Sequence, residues 1–192
     1  MSLPFPNKEY NIIYADPPWE LKRGPDWGSN GPSKPLPYPT MSLNEIRHLP
    51  IDKLAGKNAH LYLWVVNKYI PDAYDIVRAY WGFKVSCMLT WCKPRHGIGI
   101  GGTFVQTTEH LLFCRRGTLK AQKRIDTTWF EHKRLAHSVK PQMFRDMIVE
   151  VSGDLPRIEL FARQRVIGWD SIGFDIDGCD IRDGFIGMQG AK

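Results

Sequence analysis

The chain has 192 residues, of which 43% are hydrophobic and 24% are charged, and its formal net charge is +6. This length suits a single domain with a sizeable core, so we treat residues 1–192 as one domain that ends in a tail without clear pattern, 174–192. The charge favours an anionic partner such as nucleic acid, and it equally suits a basic protein without one. Membrane spans, a signal peptide and a disulfide framework are not evident, which predicts a reducing cytoplasm.

The predicted elements of the first half alternate between strands and helices. An apolar strand at 9–16 stops at two prolines, which cannot continue a sheet. A loop rich in proline, glycine and charge follows at 20–40, and its length indicates a functional segment. A capping box begins a short helix at 42–49. A continuous apolar strand at 59–67 then precedes a helix at 71–83, which has proline in its first turn.

The second half continues the alternation. Strands are predicted at 84–93 and 109–116, followed by an irregular basic stretch at 117–139. A helix at 140–152 leads into the last clear strand, 157–162. Strands that alternate with helices predict an α/β sheet covered on both faces.

The loop between the third and fourth strands contains a glycine pattern. Gly97, Gly99 and Gly102 satisfy the dinucleotide-binding spacing G-x-G-x-x-G. No helix opens at the third glycine, as that motif requires, because the following residues lead into a strand. We therefore interpret this segment as a loop beside the site, in which Arg95 and His96 are available to contact phosphate.

The strongest chemical signal is Asp-Pro-Pro-Trp at 16–19. An exocyclic amino group of a nucleobase is a poor nucleophile, because its lone pair is delocalised into the ring. The Asp16 carboxylate and the Pro17 carbonyl can each accept a hydrogen bond from one N–H of this amino group, which leaves the nitrogen lone pair directed outward. Pro18 helps to keep the turn rigid. Trp19 offers a face for base stacking, which is worth about 1–3 kcal/mol. A carboxylate also favours a cationic sulfonium donor, and no metal is required.

A simpler interpretation of the same turn stays open. In it, a strand ends at a proline turn, Asp16 caps the backbone locally and Trp19 belongs to the core. The six histidines form no H-E-x-x-H or similar set, so no metal site is predicted.

The sequence resembles the DPPW-type (MT-A70-like) adenine methyltransferases, which use S-adenosylmethionine, and it looks like a bacterial or phage member. The resemblance runs from about Tyr10 to Gly178. It implies a Rossmann-like, mostly parallel seven-stranded sheet flanked by helices, with a permuted motif order. The segments that carry it, in family order, are "ADPPW" (15–19), "LPYPTMSLNEI" (36–46), "LYLWVVN" (61–67), "WGFK" (81–84), "LTWCKP" (89–94), "EHLLFCRRG" (109–117), "HSVKPQMF" (137–144) and "IELFARQRVIGWDSIG" (158–173).

The resemblance also assigns roles to single residues. The predicted catalytic residues are Asp16, Pro17, Pro18 and Trp19. The predicted cofactor-binding residues are Asp16, Pro17, Asn67, Lys140, Arg163, Gln164 and Asp175. The predicted substrate-binding residues are Trp19, Tyr38, Lys93, Arg95 and Glu109, where Arg95 enters through phosphate contact rather than through the resemblance. For Lys93 and Glu109, a solvated lysine and a strand-end glutamate are equally consistent with the sequence.

One departure from the family pattern concerns the cofactor. After "GWDSIG" the relatives place Asn and then Glu or Gln, which hold the ribose and the adenine, whereas this chain has Phe174 and Asp175. Asp175 can still accept from ribose hydroxyls on a shorter arm, but Phe174 cannot replace an amide, so weaker cofactor binding is expected. The segment "CDIR" (179–182) resembles one that the family places before its catalytic strand.

The leading hypothesis is an S-adenosylmethionine-dependent adenine N(6)-methyltransferase acting on nucleic acid, with DNA preferred over RNA because the compact chain looks like a bacterial or phage member. The target adenine must be flipped out or single-stranded. A separate target-recognition domain does not fit, which points to a short recognition sequence, relaxed specificity, a homodimer or a partner subunit. Two alternatives remain: a non-catalytic nucleic-acid-binding subunit, and a methyltransferase for cytosine or a glutamine amide. Candidate phosphate contacts are Lys22, Arg23, Lys34, Arg95 and His96.

Overall fold

A computed structural model describes residues 8–20, 39–94, 104–135, 139–178 and 180–182. The strands are β1 (Tyr10–Ala15), β2 (Ala55–Val65), β3 (Lys84–Cys92), β4 (Thr108–Arg116), β5 (Trp129–Glu131), β6 (Arg157–Leu160) and β7 (Asp170–Ile172). The helices are α1 (Leu43–Arg47), α2 (Ile51–Leu54), α3 (Ile70–Asp75), α4 (Gln142–Ser152) and α5 (Phe174–Asp177). A 3₁₀ turn, Asn67–Tyr69, precedes α3, and a π-helical turn, Ile76–Tyr80, continues it.

The strands form one seven-stranded sheet in the order β5-β3-β4-β2-β1-β6-β7. β1 lies in its interior and pairs in parallel with β2 and β6, so that Ala15 stands opposite Leu63 and Leu160. β4 runs antiparallel to both of its neighbours, and the remaining strands share one direction. The predicted α/β fold with a mostly parallel, Rossmann-like sheet is therefore confirmed.

Helices cover both faces of the sheet, which explains the continuous apolar runs in β1 and β2. One face packs against α1, α2 and α3, and Ile46 and Ala73 from these helices are fully buried there. The other face packs against α4, where the Phe144 ring meets Trp64 edge-to-face with centroids 4.9 Å apart. Aromatic pairs of this geometry contribute roughly 0.5–1.5 kcal/mol beyond the area they bury.

Several predicted boundaries were wrong. The stretch 117–139 is not wholly irregular, because it contains β5, whose backbone pairs with the end of β3. The predicted helix 71–83 is shorter and ends in the π-helical turn. The tail 174–192 begins with α5, and its residues 180–182 also pack against the protein.

The topology brings predicted site residues together at one edge of the sheet, where the parallel strands have their carboxyl ends. β1, β2, β3 and β6 end at this edge, and the antiparallel β4 begins there. Asp16, Lys93 and Glu109 follow or begin these strands. In open α/β sheets, ligands bind in the crevice outside the carboxyl ends of the strands.

Candidate active site

The segment Asp16–Trp19, which we call the catalytic turn after the role that the sequence predicts for it, follows the end of β1 and is held by backbone hydrogen bonds. The Trp19 amide donates to the Pro17 carbonyl at 2.9 Å, and the Met41 amide donates to the Pro18 carbonyl at 2.9 Å. A carbonyl oxygen has two lone pairs, so that of Pro17 keeps capacity for a second donor. The prolines and these bonds together fix the turn before any ligand arrives.

The Trp19 side chain is buried in the hydrophobic core beside this turn. Its side chain is 5% exposed, its indole N–H donates to the Trp64 carbonyl at 3.0 Å, and its ring stacks on Tyr69 with centroids 5.4 Å apart. The Tyr69 hydroxyl in turn donates to the Glu20 carbonyl. Trp19 therefore anchors the turn as the simpler interpretation describes, and its stacking with a substrate base stays a prediction.

Four charged side chains of alternating sign form a row of ion pairs beside the catalytic turn, in the order Asp16, Lys140, Glu109 and Lys93. We call this row the charge chain. The Lys140 Nζ lies 2.5 Å from Asp16 Oδ2 and 3.3 Å from Glu109 Oε2, and Lys93 donates to the other oxygen of Glu109. The Lys140 side chain is 9% exposed and its ammonium lies 5.2 Å from the centre of the Trp64 ring. Lys140 lies just before α4, so the start of that helix places the Lys140 ammonium between the two carboxylates.

Burial and these partners set the protonation of the chain. Burial alone would lower the pKa of Lys140, but Asp16 and Glu109 raise that pKa above its ordinary value, so the ammonium stays charged. Burial works to raise the pKa of Glu109, and Lys140 and Lys93 together hold that pKa below its usual range. Burial raises the pKa of Asp16 against the opposing effect of Lys140. The pKa of Asp16 is therefore raised, whereas that of Glu109, which has two lysine partners, is lowered.

Lys93 directly follows β3, and Glu109 lies near the start of the adjacent strand β4, where it pairs with both Lys93 and Lys140. Glu109 stands opposite Trp91 in the β3–β4 pairing, and the Lys93 ammonium lies 4.6 Å from the Trp91 ring centre. Their side chains are 16% and 25% exposed. Lys93 is therefore paired and largely buried rather than solvated, whereas Glu109 does lie at the end of a strand, as the alternative interpretation described, and also pairs with two lysines.

A cleft whose lining includes Asp16, but not Lys140, Glu109 or Lys93, opens beside these charged groups. Arg163 and Asp175 face each other in its lining, with Arg163 Nη1 at 2.5 Å from Asp175 Oδ2. Phe174 also lines the cleft and is 43% exposed. The lining residues are Asp16, Pro18, Pro39, Met41, Phe161, Ala162, Arg163, Phe174, Asp175, Asp180 and Ile181.

Two local features shape this cleft. Phe161 has φ 63°, a left-handed conformation that is unusual for a residue other than glycine, and it turns the chain sharply at the end of β6. Gly173 passes so close to this turn that a Cβ there would lie 2.0 Å from the Ala162 carbonyl oxygen. The Ala162 amide donates to the Ile172 carbonyl at 2.9 Å, which holds the ends of β6 and β7 together. Phe174 and Asp175 are thereby placed over the cleft.

The remaining predicted residues lie elsewhere or outside the described residues. Asn67 accepts a hydrogen bond from His110, whose other ring nitrogen bonds Thr90 at 3.1 Å, and it does not line the cleft. Gln164 is exposed and also does not line the cleft. Tyr38 and Arg95 fall outside the described residues, as do Lys22, Arg23, Lys34 and His96.

Sequence reasoning missed several cleft residues, among them Met41, Phe161 and Ile181. Met41 has no chemical signature, and only its backbone bond to the catalytic turn places it in the lining. Asp180 and Ile181 belong to the "CDIR" segment, so that segment was the available signal. No cluster of three or more metal-ligating side chains occurs among the described residues, and no helix in that part of the chain is long and apolar enough to cross a membrane.

The seven-stranded, mostly parallel sheet with helices on both faces defines a Rossmann-like α/β fold, and the family match assigns it to the methyltransferases. The sequence profile of the MT-A70 family matches residues 10–175, and the chain belongs to this family. The resemblance stated from the motifs is thus confirmed.

Curated relatives with named activities match most of this chain. It is 27% identical to the type II methyltransferase M.MunI of a Mycoplasma species, over 89% of this chain and 79% of that protein. It is 26% identical to the putative N(6)-adenosine-methyltransferase MT-A70-like of Medicago truncatula, over 91% of this chain and 28% of that protein. It is also 26% identical to the human N(6)-adenine-specific methyltransferase METTL4, over 95% of this chain and 40% of that protein. The chain thus spans less than half the length of the plant and human relatives.

Proposed function

We propose that this chain transfers a methyl group from S-adenosylmethionine to the exocyclic amino group of adenine in nucleic acid, with DNA preferred over RNA. The observation that carries the proposal is the position of Asp16. Its carboxylate belongs both to the cleft lining and to the charge chain that leads to Glu109 and Lys93. A group at this position faces a cofactor on one side and an acceptor base on the other.

The cleft has the chemistry that the cofactor requires. When bound, S-adenosylmethionine supplies an electrophilic methyl group on a cationic sulfonium. The Asp16 carboxylate in the lining favours a cationic ligand electrostatically, while the Asp175 and Asp180 carboxylates are each paired with an arginine and contribute hydrogen-bond acceptors. The exposed ring of Phe174 adds an apolar surface where the family pattern has an amide. We propose that these residues hold the cofactor and that the Arg163–Asp175 pair meets its ribose hydroxyls.

The catalytic turn prepares the amine. The Asp16 carboxylate accepts one N–H of the adenine amino group, and the free lone pair of the Pro17 carbonyl accepts the other. Both acceptors are fixed before the base arrives, so no reorganisation is needed during reaction. With the amino nitrogen held in this way, its lone pair would face the methyl group that the bound cofactor would supply, and Asp16 or solvent would take the surplus N–H proton.

The β5 end of the sheet supports nucleic-acid binding. Trp129 is 59% exposed at this end, and its backbone amide donates a hydrogen bond to the Thr127 hydroxyl at 3.2 Å. Lys120, Lys133 and Arg134 are exposed nearby in the sequence. Exposed aromatic rings with basic neighbours are the usual platform for single-stranded nucleic acid. We propose further that a second copy or a partner subunit adds sequence recognition, and that the free thiols of the described cysteines belong in a reducing cytoplasm.

The test is methyl incorporation from labelled S-adenosylmethionine into single-stranded DNA, duplex DNA and RNA of the same sequence. We expect incorporation into DNA above RNA with the native chain, and a loss of at least about 100-fold with Asp16→Ala, in line with removal of a preorganised group at a reacting centre. Asp52→Ala is the matched control, because this exposed acid lies in α2 away from the site. Nucleic-acid binding without methylation or cofactor binding would instead favour a non-catalytic subunit.

A further inference from the structure

The segment Asp180–Arg182, which we call the wall segment, closes one side of the cleft. Asp180 and Ile181 line the cleft together with Asp16. Ile181 is 4% exposed and belongs to the core cluster that also contains Met41 and Ile46. The wall segment is therefore packed against the body of the protein by one apolar side chain and presents one carboxylate beside the cleft.

Arg182 makes the polar attachments of the wall segment. Its Nε and Nη2 donate to the two Asp180 carboxylate oxygens at 2.9 and 2.5 Å, and its backbone amide donates to the same carboxylate at 2.9 Å. Its Nη1 donates to Glu45 Oε1. One guanidinium thus fixes the Asp180 side chain and ties the segment to α1.

Glu45 connects this attachment to the catalytic turn. Its second carboxylate oxygen accepts from the Ser42 amide and hydroxyl, both at 2.8 Å, which completes the capping box of α1. The preceding residue, Met41, donates its amide to the Pro18 carbonyl and pairs with Trp19. A continuous path of contacts therefore joins the wall segment, through Arg182 and Glu45, to the catalytic turn on the far side of the cleft.

We propose that Arg182 is a positioning residue for cofactor binding: it holds Asp180 and Ile181 at the distance from the catalytic turn that the cofactor requires. The inference rests on the proposed function of the cleft. A short segment without this attachment would have to lose conformational freedom each time a ligand binds, and that entropy cost would weaken binding. Because the attachment lies on the cofactor side of Asp16, binding of nucleic acid should not depend on it.

The experiment measures binding of S-adenosylmethionine and S-adenosylhomocysteine to the full chain by calorimetry. The variants are Arg182→Ala and Glu45→Gln, the second of which retains a capping-box residue and loses only the charge that meets the guanidinium. We expect each to raise Kd roughly fivefold to fiftyfold, the range of coupling between contacting residues. The double variant should bind no more weakly than Arg182→Ala, since both changes break one link. Arg124→Ala is the control, because Arg124 forms an exposed ion pair with Asp126.

Steady-state kinetics separate positioning from a general structural role. We expect KM for the cofactor to rise in both variants, while KM for a DNA oligonucleotide and the melting temperature stay near the values of the native chain. Unchanged cofactor Kd in both variants would overturn the inference alone. A parallel loss of DNA binding and of thermal stability would also overturn it, in favour of a structural role. Absence of cofactor binding by the native chain would overturn both the inference and the proposed function.

Discussion

Replacement of Lys140 by methionine tests the charge chain most severely. The change leaves the carboxylates of Asp16 and Glu109 without the ammonium that lies 2.5 and 3.3 Å from them, while methionine keeps an apolar stem near Trp64. Removing one partner of a buried ion pair costs about 3–5 kcal/mol. Because the two carboxylates are 24% and 25% exposed, we take the lower end, about 3 kcal/mol. For a chain of this size that corresponds to a melting temperature lower by roughly 6–12 °C.

The loss should depend on pH with a definite sign. Without Lys140, repulsion raises the folded-state pKa values of Asp16 and Glu109, so the folded variant binds more protons than the folded native chain. The stability deficit of Lys140→Met should therefore shrink as pH falls from about 7 to about 5. Urea unfolding at both pH values measures it, with Lys123→Met as the control, since Lys123 forms an exposed pair with Glu150 at 2.8 Å.

A deficit that is equal at both pH values would refute this reasoning. The same holds for a deficit that is unchanged in a Glu109→Gln background, where the repulsion between two carboxylates is absent. In that background we expect recovery of about 1 kcal/mol or more, because one buried negative charge has been removed.

Three further predictions concern the cleft, the core and the surface. Gly173→Ala should weaken S-adenosylhomocysteine binding at least about tenfold by calorimetry, because the added Cβ would lie 2.0 Å from a backbone oxygen. Gly56→Ala is the control and should leave binding unchanged, because its Cβ would meet nothing closer than 3.4 Å. Equal effects of the two changes would contradict the account. Burial lowers the pKa of His60, which hydrogen-bonds through both ring nitrogens, so the native chain should lose stability as pH falls below about 6.5, the pKa of the unfolded state. Urea unfolding should show a smaller loss in His60→Gln, and an equal loss would assign it to other groups. Trp129→Ala should weaken binding of single-stranded DNA by about 1–3 kcal/mol in fluorescence anisotropy, whereas Tyr74→Ala, at a ring 41% exposed on α3, should leave it unchanged.

Local signals explain why much of the fold could be predicted from sequence. The two prolines after β1 end a strand by chemistry alone, and the capping box of α1 is present with both of its bonds. β5 and β7 have three residues each, and they are strands only because β3 and β6 lie beside them. Elements so short carry no periodicity of their own, so sequence patterns could not find them.

The site divides in the same way. The role of Asp16 could be predicted because the short motif Asp-Pro-Pro-Trp by itself indicates the chemistry. Lys140 was assigned through the resemblance, but its burial between two carboxylates depends on how α4 packs beside β4, which no single segment encodes. The cleft lining at Phe161 and Ile181 depends on a turn with positive φ and on a contact between distant parts of the chain. Long-range geometry of this kind has no local sequence signature.

The identity of the methylated atom tests the central claim most directly. A DNA oligonucleotide treated with the native chain and S-adenosylmethionine is digested to nucleosides, which are separated and identified by mass spectrometry beside a parallel reaction with Asp16→Asn. The account predicts N(6)-methyldeoxyadenosine from the native chain and at most trace amounts from the variant. Methylation on a ring nitrogen of adenine or on cytosine, or an undiminished yield from Asp16→Asn, would contradict it.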